Sequence, residues 1–377
     1  MMLEAKGQPA IVDGQGHQGS ARNPGSPIRV LHLGTTEQGG ISEVIRLICG
    51  LGGDAEHRTL QTHRRVGTLG KVLTLLSAAA RLTGTLISGR TDIYHLHAAA
   101  FGSVTRKWIL LALIKAAGGR AIVHVHGGRF KEFYEALPTA GRYVVRYGLR
   151  RVDGLIVLSP EWATFFEVLA PKTPTLVLPN AVELPAQDVT NPPTSAWSLA
   201  FLGKLNRHKG IYDLVRAVAR STPEIVLEIG GTGDVEQLRA LTTELGIRDR
   251  VLFYGWVDGD QRHELLSRAR ALALPSYAEG LPMAVLEAMA HSLPVIVTPV
   301  GGIPSLIRHG QNGLIVEAGK VEELTSAINL LAQDPLLARR LGAAARDTVV
   351  DAYGVRQFEA NLIAFYRRFL EPPPNGS

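Results

Sequence analysis

The chain has 377 residues, 46% of them hydrophobic and 20% charged, and a formal net charge of +6. That balance is ordinary for a globular protein with real cores, and the length fits two domains or three. The lone cysteine, Cys49, excludes an internal disulfide, and no run reaches the ~20 apolar residues of a membrane-spanning helix. A basic chain suits phosphates, nucleic acid or anionic lipid, and charge alone does not choose among them.

In chain order, residues 1–27 are rich in Gly, Gln and Pro, lack the apolar segment of a secretory signal, and are expected to be a disordered lead-in. Ile28–Gly34 (IRVLHLG) reads as a strand, followed by TTEQGG and a helix beginning near Ile41 or Ser42. Its glycines, Gly34, Gly39 and Gly40, lack dinucleotide GxGxxG spacing. A Leu/Ala-rich helix at 71–88, the strand DIYHLHA, a helix from about Ser103 to Ala117 and the strand AIVHVHGG follow. Then come a basic aromatic segment (RYVVRYGLRR), the strand GLIVLS, the helix PEWATFFEVLA and the strand TLVLPN. Val182–Ser195 breaks this rhythm with Pro, Asn and Thr, so a linker is expected at 183–195 between units at 28–182 and 196–355. A second alternation of strands and helices closes with helices at about 321–332, 334–350 and 355–370 and a tail at 371–377. Strands alternating with helices imply parallel sheets, here in two doubly wound halves, with ligands expected beyond the carboxyl ends of the strands.

Several stretches carry chemistry. In Pro275–Ala290 (PSYAEGLPMAVLEAMA), Pro282 is placed at a first helical position, and Leu281, Val285, Ala288 and Met289 make an apolar face. Glu279 then stands at the mouth of the helix and Glu287 within it. Free N–H groups at such a start hold an anion, and two carboxylates can grip the hydroxyls of a sugar-like ligand. The same pattern also fits a capped helix with two solvated acids. Gly203, Lys204 and Lys209 in FLGKLNRHKG form a loop suited to a diphosphate, or a solvated basic loop. Gly230, Gly231 and Gly233 resemble half of a dinucleotide fingerprint, with Glu236 in place of the third glycine. They read as a nucleotide-facing turn rather than an NAD site. His95 and His97 share one face of a strand, as do His124 and His126. A zinc site is the lesser reading; packed or hydrogen-bonded histidines, with His97 and His126 facing the cleft, are preferred. Arg106, Lys107, Trp108 and Lys115, with Arg142, Arg146, Arg150 and Arg151, suit anionic lipid or helices snorkelling over a core.

Together the early GG loop, the HG strand end, FLGKLNRHKG, GGTGD and EGLPMAVLEAMA resemble the retaining glycosyltransferases of family 4, from Ile28 to about Leu370. The most specific part is Glu279-x7-Glu287, followed by PVIVTPVGGIPSLI and NGLIV. The resemblance implies a GT-B fold: two Rossmann-like domains facing across a cleft, with the C-terminal helix, about 356–370, crossing back to the first. It implies a nucleotide-diphosphate-sugar donor and a saccharide acceptor, with transfer of a hexose-type sugar and retention at the anomeric carbon. Glu279 would contact the donor sugar and Glu287 the ribose. Lys209 would contact the diphosphate, as would Lys204, where the family commonly has arginine. Gly39 and Gly40 would approach the phosphates. His126 would lie near the sugar, hydrogen-bonding it or carrying positive charge beside it. Gly203, Gly231, Gly233, Gly280, Leu281 and Pro282 complete the expected donor site.

No bound metal, cofactor or nucleic acid is expected. A cytoplasmic protein is expected; a polyprenyl-diphosphate-linked acceptor of exopolysaccharide or surface-glycan synthesis, at the inner face of the cytoplasmic membrane, fits the basic first half, and a soluble acceptor is the other reading. A sugar-nucleotide epimerase of the same architecture and a non-catalytic sugar-nucleotide binding protein are the alternatives. An oxidoreductase is disfavoured by the missing third glycine.

Overall fold

The structure, a computed structural model, describes residues 26–35, 37–64, 67–185 and 197–371. The expected lead-in, most of the expected linker and nearly all of the tail therefore lie outside the described residues.

The first half runs β1 (Ile28–Gly34), α1 (Gly40–Gly50), β2 (Ala55–Gln61), α2 (Thr68–Ser88), β3 (Ile93–Ala98) and α3 (Gly102–Ala116). It continues with β4 (Ala121–Val125), α4 (Phe130–Ala136), α5 (Thr139–Leu149), β5 (Gly154–Val157), α6 (Pro160–Leu169) and β6 (Thr175–Val177). The second half runs β7 (Trp197–Leu202), α7 (Ile211–Arg220), β8 (Ile225–Gly230), α8 (Val235–Glu244), β9 (Val251–Gly255), α9 (Gly259–Arg268) and β10 (Ala271–Leu274). It ends with α10 (Met283–Ala290), β11 (Val295–Val297), α11 (Ile303–Leu306), β12 (Leu314–Ile315), α12 (Val321–Gln333), α13 (Pro335–Ala352) and α14 (Val355–Arg367).

Each half holds a parallel six-stranded sheet, β2-β1-β3-β4-β5-β6 and β12-β11-β10-β7-β8-β9. The inner strands are buried along nearly their whole length, as helices on both faces require; β3 and β4 expose nothing. The second sheet has the dinucleotide-fold order, and the first has the flavodoxin-like order extended by one strand. In such sheets the chain reverses its direction of winding at one point, here between β1 and β3 and between β7 and β10. Loops leaving that point diverge and open a crevice.

The last helix returns to the first half, as expected. Phe358, Leu362, Phe365 and Tyr366 of α14 pack with Ile28, Val30, Ile93, Ile122 and Ile156 of the first sheet. Gly154 makes room for this helix, since a Cβ there would lie 2.8 Å from both Phe365 and Phe369.

Four expectations are corrected locally. β2 is a strand that hydrophobic patterning misses, because AEHRTLQ is an edge strand with mostly exposed or half-exposed side chains. Pro282 precedes α10 in extended conformation rather than occupying its first position. The helix at IPSLIRHG shrinks to four residues. Lys107 points inward, only 2% exposed, so it is not part of a basic surface. Among the described residues no helix is long and apolar enough to cross a membrane.

Candidate active site

The two crevices face each other across a cavity of about 490 Å³. From the first half come Gly39 and Gly40 after β1, Phe101 after β3, and His126 to Arg129 after β4. From the second come Gly203, Lys204 and Lys209 after β7, Trp256 after β9, and Glu279 to Ala284 after β10, with Glu287 one turn along α10. Both halves' reversal points thus supply the walls.

Where the loop after β4 meets the loop after β10, the contact is backbone to backbone. A Cβ on Gly128 would fall 2.2 Å from the carbonyl oxygen of Glu279, and one on Gly280 would fall 2.4 Å from that of His126. Any larger residue would push the loops apart, which explains HGG on one side and EGL on the other. Asn180, at the end of the first half, donates from Nδ2 to the Leu281 carbonyl at 2.7 Å and pins the same loop.

The charged groups that line this cavity are paired. Glu279 is buried and accepts from Lys209 Nζ at 2.5 Å and from Ser276 Oγ at 2.7 Å. Lys209 ends a short turn that Asn206 caps by accepting the Lys209 N–H at 3.1 Å. Glu287 accepts from Arg262 Nη1 at 2.5 Å, and the same guanidinium reaches Glu43 of α1 at 3.4 Å. Burial pushes the Glu287 carboxyl up, and Arg262 opposes that rise. His126 is pushed down to about 3 by burial, so it is a neutral imidazole. Burial thus favours the neutral imidazole, which suits the hydrogen-bonding alternative for His126 better than the charged one. Its Nε2 lies 2.9 Å from His97 Nδ1.

Twelve residues expected from sequence meet here: Gly39, Gly40, His126, Gly203, Lys204, Lys209, Gly230, Glu279, Gly280, Leu281, Pro282 and Glu287. Gly231 and Gly233 do not line the cavity. A Cβ on Gly231 would lie 1.8 Å from the Gly203 carbonyl oxygen, and one on Gly233 would lie 2.2 Å from that of Leu205. These glycines let the loop after β8 pack beneath the lysine loop; they support the site rather than face it. Sequence reading misses Arg262, Glu43, Trp256, Phe101 and Asn180. Arg262 has no local signal, because in QRHELLSRAR it looks like any surface cation, and only the fold brings it to Glu287.

A two-sheet α/β protein with facing crevices, paired lysines and an acid-flanked helix start belongs to the GT-B class. Two family models match most of the chain: glycosyl transferase 4-like domain over residues 25–181 and glycosyl transferases group 1 over residues 186–348. The chain belongs to this glycosyltransferase family. N-acetyl-alpha-D-glucosaminyl L-malate synthase of Bacillus anthracis is 31% identical over 181 residues, 47% of each chain. The chain spans about half the length of the curated relatives it matches, 45% and 47% for two of them. Sucrose-phosphate synthase from Thermosynechococcus elongatus has a TM-score of 0.75 at 20% identity, covering 90% of this chain and 98% of that one. Anabaena HepE in complex with UDP-glucose has a TM-score of 0.74 at 17% identity, covering 90% and 100%. These likenesses establish the fold.

Proposed function

We propose that the protein transfers a hexose-type sugar from a nucleotide-diphosphate sugar to a saccharide acceptor, with retention of anomeric configuration. One observation carries this reading: two lysines, a helix start and two acids converge on one cavity at the reversal points of both sheets. As the bond to the donor phosphate breaks, negative charge grows on the diphosphate. Lys204, Lys209 and the free N–H groups at the start of α10 stabilise it. Glu279 accepts hydrogen bonds from sugar hydroxyls, and Glu287 accepts them from the ribose. His126, being neutral, hydrogen-bonds the sugar. The UDP-glucose held by HepE supports a nucleotide sugar as the donor. No protein-bound metal or cofactor takes part in this proposal. The donor-binding unit is 196–355 and the acceptor-side unit 28–182 with α14, joined at 183–195.

The acceptor in this reading is lipid-linked, a polyprenyl-diphosphate saccharide at the inner face of the cytoplasmic membrane. Helices α2, α3 and α5 pack side by side on the face opposite α14 and contain no aspartate or glutamate. On α2, Leu69, Val72, Leu73 and Leu76 are exposed by 74, 49, 57 and 60%, a stripe at helical spacing with Lys71 beside it. Tyr143, Val144 and Tyr147 are also exposed on α5, among Arg142 and Arg146. Lys115 is not part of this face, since it pairs with Asp153 at 2.9 Å, and Arg150 donates to the Leu169 carbonyl. Phe101, just before α3, is both exposed and a lining residue of the cavity.

The test is a screen of UDP-, GDP- and ADP-sugars with polyprenyl-diphosphate-linked saccharides, the product's anomeric configuration being read by NMR. Transfer is expected only when acceptor is present. Conversion of the donor to an epimer without acceptor would replace this reading with an epimerase. Donor binding without any turnover would leave a binding protein.

A further inference from the structure

Histidines from four adjacent strands meet on the face of the first sheet that α14 covers. Strand register places them there: His57 pairs with Val30, two residues before His32; His32 pairs with His95; His97 pairs with His124. His126 follows two residues after His124. Four of these rings form a continuous chain. His57 Nδ1 lies 2.9 Å from His32 Nε2, His32 Nδ1 lies 2.9 Å from His97 Nε2, and His97 Nδ1 lies 2.9 Å from His126 Nε2. Every link joins the Nδ1 of one ring to the Nε2 of the next.

This head-to-tail order has a strict consequence. A neutral imidazole has one N–H and one lone pair, and each link needs one of each. If His57 carries its hydrogen on Nδ1, then His32, His97 and His126 must do the same. If one carries it on Nε2, all do. The rings are neutral because burial lowers their basicity: His57 to about 4, His126 to about 3, and His32 and His97 well below the usual imidazole value. Both ends, His57 Nε2 and His126 Nδ1, are buried and have no partner among the described residues. Neither hydrogen register is therefore fixed from within.

Two histidine triads here, His32/His95/His97 and His97/His124/His126, bring ring nitrogens within 4.8 Å of one another. The chain geometry argues against a metal. Two nitrogens bound at about 2.0–2.1 Å to a tetrahedral zinc stand about 3.4 Å apart, whereas these linked nitrogens are 2.9 Å apart. The His97 and His126 rings also stack, at 18° between planes, rather than converge.

We propose that His57, His32 and His97 are positioning residues forming a tautomer relay that sets whether Nδ1 of His126, a residue lining the cavity, donates or accepts. A group that accepts from Nδ1 selects hydrogen on every Nδ1, and a group that donates to it selects hydrogen on every Nε2. Passing from the first register to the second releases one proton at His126 Nδ1 and takes up one, from water, at His57 Nε2. Between them one proton moves across each of the three links, and every ring stays neutral. The coupling stands without the donor reading; only its use in orienting a sugar rests on that reading.

The test uses the full chain labelled with 15N at histidine, with no nucleotide present, read by long-range 1H–15N correlation. The expected result is one shared tautomer for His57, His32, His97 and His126. His57→Asp, whose carboxylate only accepts, is expected to drive all three remaining rings to Nε2–H and so move the His126 nitrogen shifts from three rings away. Mixed tautomers along the wild-type chain would overturn the proposal. So would unchanged His126 shifts in a His57→Asp protein with native circular dichroism, or stoichiometric zinc binding that removes the four signals together. If His57→Asp does not fold, the wild-type tautomers decide alone. Failure here leaves the donor reading standing, and failure of the transfer assay leaves the relay standing.

Discussion

Arg262 and Glu287 form a partly buried ion pair at 2.5 Å, and through Glu43 the same arginine ties the second half to the first helix of the first half. Glu287 is thus both a partner of Arg262 and, as proposed, a ligand for ribose. Glu287→Gln keeps the shape but loses the charge, and is expected to weaken nucleotide-sugar binding by about 10- to 100-fold, the worth of a hydrogen bond to a charged group. Calorimetry showing wild-type affinity would remove Glu287 from the ribose role. Arg262→Ala removes the group that opposes the burial-raised pKa of Glu287. Its donor binding is expected to weaken as pH falls, more steeply than wild type, because the carboxyl protonates sooner.

Lys209 and Glu279 invite a separation of stability from catalysis. Lys209→Met leaves a buried carboxylate without its cation, a change that costs about 3–5 kcal/mol in fully buried pairs. A lowered Tm is expected, together with a fall in kcat of about 10²-fold or more. Adding Glu279→Gln should restore much of the Tm but none of the kcat. Recovery of activity in the double variant would mean that Lys209 serves only the fold.

Lys107 gives a pH signature. It is buried and donates to Thr62 Oγ1 at 2.6 Å, and burial lowers it from 10.5 to about 7. Between these two values the unfolded chain holds a proton that the folded chain does not, so this group makes stability rise as pH climbs from about 7 toward 10.5. Below pH 7 both states are protonated and the folded state bears the full burial penalty. Lys107→Met is expected to be more stable than wild type at pH 6, with the difference shrinking toward pH 10. Urea titrations giving a pH-independent difference would reject this account.

The exposed stripe on α2 is tested by Leu73→Glu with Leu76→Glu. Both side chains are already exposed, so folding should be unaffected. Wild type is expected to float with vesicles of anionic lipid at low salt and to dissociate as salt rises. The double variant should stay behind. Equal flotation of both proteins would move the lipid contact elsewhere.

What the sequence reveals here depends on how local the cause is. Inner strands are legible because burial on both faces writes a continuous apolar run. The loops around Glu279 and Lys209 are legible because glycine, proline and charge sit at fixed spacing after such runs. β2 is not legible, because an edge strand need not be apolar. Gly231 and Gly233 look like a nucleotide turn, but what they accommodate is another loop. Lys107 and Arg262 carry no sign of burial or of partner, since both follow from how distant helices pack. The alternation of His95 with His97 and of His124 with His126 marks one face, whereas His32 and His57 join it only through strand register.

The return of α14 to the first sheet sets an order of events during synthesis. Tyr366 Oη lies 2.6 Å from His95 Nδ1, though 271 residues separate them along the chain. At about 5–20 residues per second, the ribosome needs tens of seconds to make the residues between these two partners. Throughout that interval the histidine-bearing face of the first sheet, with Ile28, Ile93 and Ile122 beside it, lacks its cover. The nascent first half is therefore a natural client for chaperones, and the second half is completed before the first can close.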